Sequence, residues 1–286
     1  MPFPLFDAHV HYDQRDWSAF SPEQVLDILD QAGVHRALVS SIHDDGTLKL
    51  LELAPKRIIP FLSPYRTRRD IKSWHSDSAI QSYVEECLKR GIYCGIGELD
   101  LAPKFVEAPV VRRFAEIAAQ ENLFLHADVN SITLDKLLKL YPRARIIWAH
   151  AGMSAPPVTI SQLMDQSPNL WAELAQRSDV APGGKLDPAW RSLFLKHPTR
   201  FMIASASNPR RTIPKFFSFL PHPGRYLKMA ADPWGAWVRS RWETLVDGMP
   251  VIRTWLAQLP ADIGDQIAYQ NAEQLFGSLS EGHQED

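Results

Sequence analysis

His9 and His11 stand two residues apart in Asp7-Ala8-His9-Val10-His11, near the start of the chain. On an extended strand two such side chains leave the pleat on the same side, so their imidazoles can close on one ion. His126 ends the apolar run Leu123-Phe124-Leu125, and His150 ends Ile146-Ile147-Trp148-Ala149. A polar ring at the end of a buried run needs a partner. Each histidine taken alone reads equally as a strand cap or a hydrogen-bonded core residue. Four imidazoles gathered at one place without a cation would leave many lone pairs unsatisfied, whereas coordination accounts for all of them at once. Two carboxylates join the pattern. Glu98, in Gly95-Ile96-Gly97-Glu98-Leu99-Asp100, could bridge two ions or orient a histidine from behind. Asp232, which follows Lys228-Met229-Ala230-Ala231 and precedes Pro233-Trp234, could both ligate and carry protons, or cap a turn. Arg66, Arg177 and Trp234 are candidate substrate contacts just past strand ends, although an exposed arginine is commonly only solvated. His43 and His75 are placed to line the same mouth. His35, His197, His222 and His283 read as helix-end, turn or tail residues.

Such residues act together only if separate strands deliver them to one rim. Seven short apolar or β-branched runs, at 5–9, 35–42, 57–63, 91–98, 123–128, 145–150 and 170–175, fit strands. Stretches at 22–32, 79–90, 110–121, 134–140 and 188–195 carry apolar residues three or four apart, as helices packed on one side require. That alternation predicts an α/β fold, a distorted (β/α)8 TIM barrel whose active face is the C-terminal rim of the strands. For the eighth strand there are two candidates, 200–205 and 225–231, each opened by His-Pro-x-Arg and an aromatic residue. The proline-rich, basic segment 208–224 between them reads as an insertion at the mouth, and 251–259 and 263–276 as amphipathic C-terminal helices. No Gly/Ser or charge-rich tract divides the chain, so residues 1–286 are expected to form a single domain.

Composition sets outer bounds. The 31 Lys and Arg against 33 Asp and Glu give a formal charge of -2, so no overall field draws the protein to nucleic acid or an anionic membrane. The expected partner is a small molecule, and a homo-oligomer is allowed. Cys87 and Cys94 read as buried thiols rather than a disulfide. No basic leader with an apolar run opens the sequence and no segment has membrane-spanning character, which predicts a cytoplasmic protein.

The order His-x-His, Glu, His, His, Asp along successive strands resembles the amidohydrolase superfamily. The likeness is strongest to its branch around aminocarboxymuconate semialdehyde decarboxylase and the 2-pyrone and acyl hydrolases. Phe6-Asp7-Ala8-His9-Val10-His11, Trp148-Ala149-His150-Ala151-Gly152 and the stretch from Ile267 to Phe276 carry it over nearly the whole chain. The resemblance implies a divalent metal on His9, His11 and His126, with His150 polarising substrate or holding a second ion. Gly97-Glu98-Leu99-Asp100 is similar to the TatD-type hydrolases, in which the glutamate bridges two metals. The metal set implied is therefore His9, His11, Glu98, His126, His150 and Asp232, for one or two ions, Zn first and Mn, Fe or Co as alternatives. At the eighth strand the family pattern is Gly-Ser-Asp or Gly-Thr-Asp after Arg-Phe, whereas Arg200-Phe201 leads here to Ser205-Ala206. The later Asp232 is preferred as the catalytic acid; Ala206 in that place would leave hydrolysis in doubt.

The expected activity is metal-dependent hydrolysis of a small lactone, ester or amide of a carboxylic acid. In it a bound ion brings the pKa of water to roughly 7, Asp232 takes the proton, and His150 polarises the carbonyl. Non-oxidative decarboxylation, a TatD-like phosphodiesterase and a degenerate metal-binding barrel are the alternatives.

Overall fold

The computed structural model describes residues 4 to 207, 242 and 245 to 281, the side chains of 278 to 281 excepted. Each apolar run forms one strand and each amphipathic stretch the helix that follows it. The strands are β1 (Leu5–Val10), β2 (Val34–Val39), β3 (Ile58–Leu62), β4 (Gly95–Asp100), β5 (Phe124–Asp128), β6 (Arg145–Trp148), β7 (Leu170–Glu173) and β8 (Phe201–Met202). They lie side by side in chain order, every neighbouring pair parallel. The ring closes because Ala8 N–H donates to the Ile203 carbonyl at 3.0 Å and Ala206 N–H to the His9 carbonyl at 2.8 Å. This is the (β/α)8 barrel expected from the alternation.

Helices α1 (Pro22–Gln31), α2 (Asp45–Leu53), α3 (Ser78–Leu88), α4 (Pro109–Gln120), α5 (Ser131–Leu140), α6 (Pro157–Gln166) and α7 (Pro188–Lys196) follow the first seven strands. Their starts carry the local signals that set them. Ser21 and Gln24 form a reciprocal capping box on α1, and Asn130 and Asp187 cap α5 and α7. The periodicity of the sequence does not reveal α2 and α6. The first opens with Gly46 and Thr47 and the second with Val158, Thr159 and Ile160, all weak helix formers, so tertiary packing decides both. After β8 come α8 (Leu245–Leu256), α9 (Ala261–Asp265), a π turn (Gln266–Gln270) and α10 (Asn271–Glu281). Among the described residues no helix is long and apolar enough to cross a membrane.

The closing strand is the first of the two candidates. Phe201 and Met202 pair with Ala172 and Glu173 of β7, and the chain continues beside β1 until Ser207 bridges Val10. Ala206 lies just past this strand, its N–H on the His9 carbonyl. Asp232 and Trp234, with the second candidate strand at 225–231 and the segment 208–224, lie outside the described residues.

Inside the barrel the lower layer is aromatic. Phe276 of α10 enters from below, its ring centroid 5.8 Å from Phe6, 5.9 Å from Phe61 and 5.2 Å from Phe124. Above this floor two irregularities turn polar side chains inward. From Asp7 to Val10, β1 advances three residues while its partners Ala37 to Val39 advance two. From Gly97 to Leu99, β4 advances two while His126 to Ala127 advance one. An extra residue reverses the alternation of side chains. His9 therefore faces inward like Ala8 before it, and Glu98 like Gly97.

Candidate metal centre

The strand ends bring His9 and His11 (β1), Glu98 (β4), His126 and Asp128 (β5), His150 (after β6) and Glu173 (β7) to the C-terminal rim. His9, His126 and Glu173 are fully buried and His150 is 5% exposed. Among the described residues three sets of donors, His9–His11–Glu98, His9–His150–Glu173 and Glu98–Asp128–His150, each have ligand atoms within 4.8 Å of one another. His126 belongs to none of these sets, although its ring centroid is 4.6 Å from that of His9.

The hydrogen-bond partners fix where the imidazole protons sit. His11 Nδ1 is 2.5 Å from the Ser40 carbonyl, which can only accept, so Nδ1 carries a proton and Nε2 is the nitrogen left to face the site. His9 Nδ1 is 2.9 Å from Glu173 Oε1, and a carboxylate likewise accepts, so Nδ1 donates and Nε2 again faces outward. The two Nε2 atoms are 2.9 Å apart, and they lie 3.5 Å from Glu98 Oε1 and Oε2 respectively. With both rings neutral, two lone pairs and a carboxylate would confront one another with nothing between them. A cation is needed there, either a proton or a metal ion. Donors about 3.4 Å apart are what bonds of about 2.1 Å in a tetrahedron require, so the set fits a divalent transition ion. His150 repeats the pattern. Its Nδ1 donates to the Ala175 carbonyl at 3.2 Å, leaving Nε2 facing Glu98 Oε1 at 3.3 Å. Among the described residues neither ring nitrogen of buried His126 has a hydrogen-bond partner, the orphaned state that an ion or substrate would relieve.

Without an ion the electrostatics settle on ion pairs. Burial pulls the His9 imidazole down, but Glu98 and Glu173 outweigh it and hold His9 well above its ordinary value. Burial likewise pushes Glu98 and Glu173 up, and the surrounding histidines override it and hold both well below the carboxylate range. His126, buried beside a charged His9, is lowered. Asp128 is pushed up to about 6, first by burial and then by the charge of Glu98.

The loop after β6 is the strained part of the rim. His150, Ala151, Gly152 and Met153 all have positive φ, at 55°, 43°, 72° and 57°. Gly152 is obligatory, since a Cβ there would lie 2.0 Å from the Trp148 ring. The non-glycine residues in this region cost roughly 1–3 kcal/mol each, so other contacts must hold them. Two side chains do. Glu173 Oε1 accepts the His150 N–H at 2.6 Å, and Arg177 donates to the Ala151 and Ala155 carbonyls at 2.8 and 2.9 Å. Arg177 also forks onto Asp179 and lies 4.5 Å from the Trp190 ring centroid. It is 1% exposed. The expected substrate contact is thus a clamp on the loop, its donors taken up by protein. Arg66 pairs with Asp70 and Asp77 at 3.3 and 2.9 Å. His75 stacks on Phe105 and His43 pairs with Asp45 near the surface.

Glu173 and Asp128 are the residues that sequence reasoning passed over. The signal for Glu173 was present: an acid between Ala172 and Leu174 in a run that reads as a buried strand. A charge there is rarely retained without a partner. Asp128 follows His126 by two, and so shares its side of the pleat.

No protein-family model matches the chain, and no curated protein matches it in sequence. Solved structures do match in shape. A protein assigned as a 2-pyrone-4,6-dicarboxylic acid hydrolase from Pseudomonas putida superposes with a TM-score of 0.59 at 13% identity, over 100% of both chains. A counterpart from Acinetobacter baumannii, with citric acid bound, gives 0.56 at 12%, covering 97% of this chain and 100% of its own. A TatD family hydrolase from Entamoeba histolytica gives 0.55 at 10%, covering 95% and 99%. Likeness at this identity extends to the fold, and these barrels share theirs with this chain from end to end.

Proposed function

We propose that the protein is a metal-dependent hydrolase of the amidohydrolase type, acting on a small lactone, ester or amide. The observation that carries this reading is the pair of converging ring nitrogens, His9 Nε2 and His11 Nε2, 2.9 Å apart and facing both oxygens of Glu98. A divalent ion held there supplies Lewis acidity toward a carbonyl oxygen and toward water. The barrel resemblance and the hydrolase neighbours are in keeping with it, and Zn is the first candidate because imidazole and carboxylate donors in a compact set suit it.

The chain's own groups would do the rest. His11 and His9 turn Nε2 toward the ion's place because Ser40 and Glu173 hold their Nδ1 protons. His150, with Nδ1 on the Ala175 carbonyl, aims Nε2 across the mouth, where it can orient or polarise a carbonyl. Asp128, half-buried and pushed up to about 6, is suited to move a proton near neutral pH. Asp232, the acid expected from the sequence, competes with it for that role.

The group Glu98–Asp128–His150 shares Glu98 with the first set, and so favours a second reading, a two-ion centre acting on phosphodiesters. The test is elemental analysis of protein purified without added metal, followed by turnover assays on lactones, esters, amides and a chromogenic phosphodiester. Stoichiometric metal with lactone or ester turnover supports the first reading. Two ions per chain with phosphodiester turnover supports the second. A metal-free protein that takes up no Zn sinks both. Asp128→Asn and Asp232→Asn, compared on one responsive substrate, assign the base: the true one should lose roughly 10²–10⁴-fold in turnover.

A further inference from the structure

Glu173 ends β7, a strand from which the metal set implied by the sequence takes no residue, yet its carboxylate binds three N–H groups at the site. Oε1 accepts the His150 N–H at 2.6 Å and the His9 Nδ1–H at 2.9 Å, and Oε2 accepts the Ala175 N–H at 2.6 Å. The remaining imidazole nitrogens stand farther off, His150 Nδ1 at 3.6 Å and His126 Nε2 at 3.8 Å. With no solvent exposure and three close N–H donors on its two oxygens, the group has most of its acceptor capacity taken up within the protein.

We propose that Glu173 is the positioning residue of the centre. It fixes His9 with a proton on Nδ1 and with Nε2 toward the mouth, and it holds the amide of His150 in the left-handed turn that carries that ring. A purely structural carboxylate would need only the two backbone amides. The third bond, to His9, links β7 to β1 past the intervening β8 and decides which nitrogen of His9 is turned to the site. An outer carboxylate on a ligand imidazole orients the ring and raises its basicity. The consequence for metal affinity rests on the reading above, whereas the consequence for the His9 proton does not.

The experiment uses ¹⁵N-histidine-labelled full-length protein, with the His9 signals assigned by their loss in His9→Gln. In the wild type, Nδ1 of His9 should carry its proton both before and after Zn is added. In Glu173→Gln that proton should exchange faster or move to Nε2, and Zn affinity, read by chelator competition, should fall roughly 10–100-fold. A His9 protonated on Nε2 alone in the wild type overturns the assignment even if Glu173→Gln does not fold. A folded Glu173→Gln with the wild-type His9 signature and wild-type Zn affinity also overturns it. A wild type that takes up no Zn but keeps the His9 Nδ1 proton defeats the metal reading and supports the role of Glu173.

Discussion

The two ends of the barrel interior are equally buried and chemically opposite. At the floor, Phe6, Phe61, Phe124 and Phe276 have no exposed surface, and neither do His9, His126 and Glu173 at the rim. The floor is held by non-directional apolar packing, which any side chain of similar shape satisfies. The rim is held by directional bonds, each dependent on a particular proton. The floor therefore stores stability, and the rim stores a specific arrangement of charge that stability alone would not select. Breaking one end should leave the other's property largely intact, and that separation can be measured.

The largest effect is expected at the rim. Replacing His9 and His11 together by Gln removes both inward lone pairs while leaving an amide for Glu173. Loss of an outer-shell partner costs roughly 10–100-fold in metal affinity, so losing two direct donors should exceed about 10³-fold. Zn titration against a chelator measures it, and circular dichroism should show the barrel retained. Near-normal Zn affinity in the double variant would remove the centre from the rim altogether.

Next comes the floor. Phe276→Ala empties the middle of the aromatic layer and should destabilise the fold by about 3–5 kcal/mol, as large-to-small changes at well-packed aromatic sites do. Denaturant unfolding reads this loss. Zn affinity of the folded variant should change by less than the effect of either rim substitution. If metal binding collapses along with stability, the two ends are one cooperative device and the contrast drawn here fails.

The sequence made one end of this contrast far more legible than the other. Seven of the strands could be read because each is a largely buried apolar run. His9, His126 and His150 could be picked out because each breaks such a run. What could not be read depends on pairing between distant segments. The bulges that turn His9 and Glu98 inward are mismatches of register between neighbouring strands, and nothing within either strand records them. Arg177 looked like an exposed base past a strand end, but its role follows from the carbonyls of a loop some 25 residues away, His150 to Ala155. The choice of closing strand was equally nonlocal. Two segments had the same opening residues, and the one that closes the ring is distinguished by hydrogen bonds to β1. Glu173 differs from these cases, since an acid inside an apolar run was visible and went unused.

A smaller effect tests the floor's neutrality. Cys94 lies in the lower layer, where burial pushes its thiol up to about 11 against the pull of Arg36 and Arg145. Two units above an ordinary thiol leaves roughly a hundredth of the usual thiolate, and the thiolate is the reactive form. Alkylation of Cys94 by iodoacetamide at pH 8 should therefore be at least ~100-fold slower in native protein than in denaturant. Peptide mass mapping separates it from Cys87. Fast native labelling would mean that the floor opens to solvent.

The smallest effect is a proton linkage at the rim. Glu98 and Glu173 hold His9 well above its ordinary value, so in the absence of metal they favour a proton on its Nε2. An ion can bind that nitrogen only by displacing the proton. Affinity should then fall as pH falls below the His9 value, by up to about tenfold per unit, with release of close to one proton per ion. The stability linkage of the metal-free protein has the matching sign. The His9 contribution is complete at acid pH and is lost as pH rises through its raised value, while those of Glu98 and Glu173, both held low, are present above the ordinary carboxylate range and lost only in strong acid. Calorimetric Zn titrations at pH 7 in two buffers of different ionisation enthalpy count the protons directly. About one proton per ion, diminished in Glu173→Gln because one of the two carboxylates that raise His9 is gone, is the expected result. Identical heats in both buffers would mean that His9 is already neutral, and that the two lone pairs face each other with no proton between them before metal arrives.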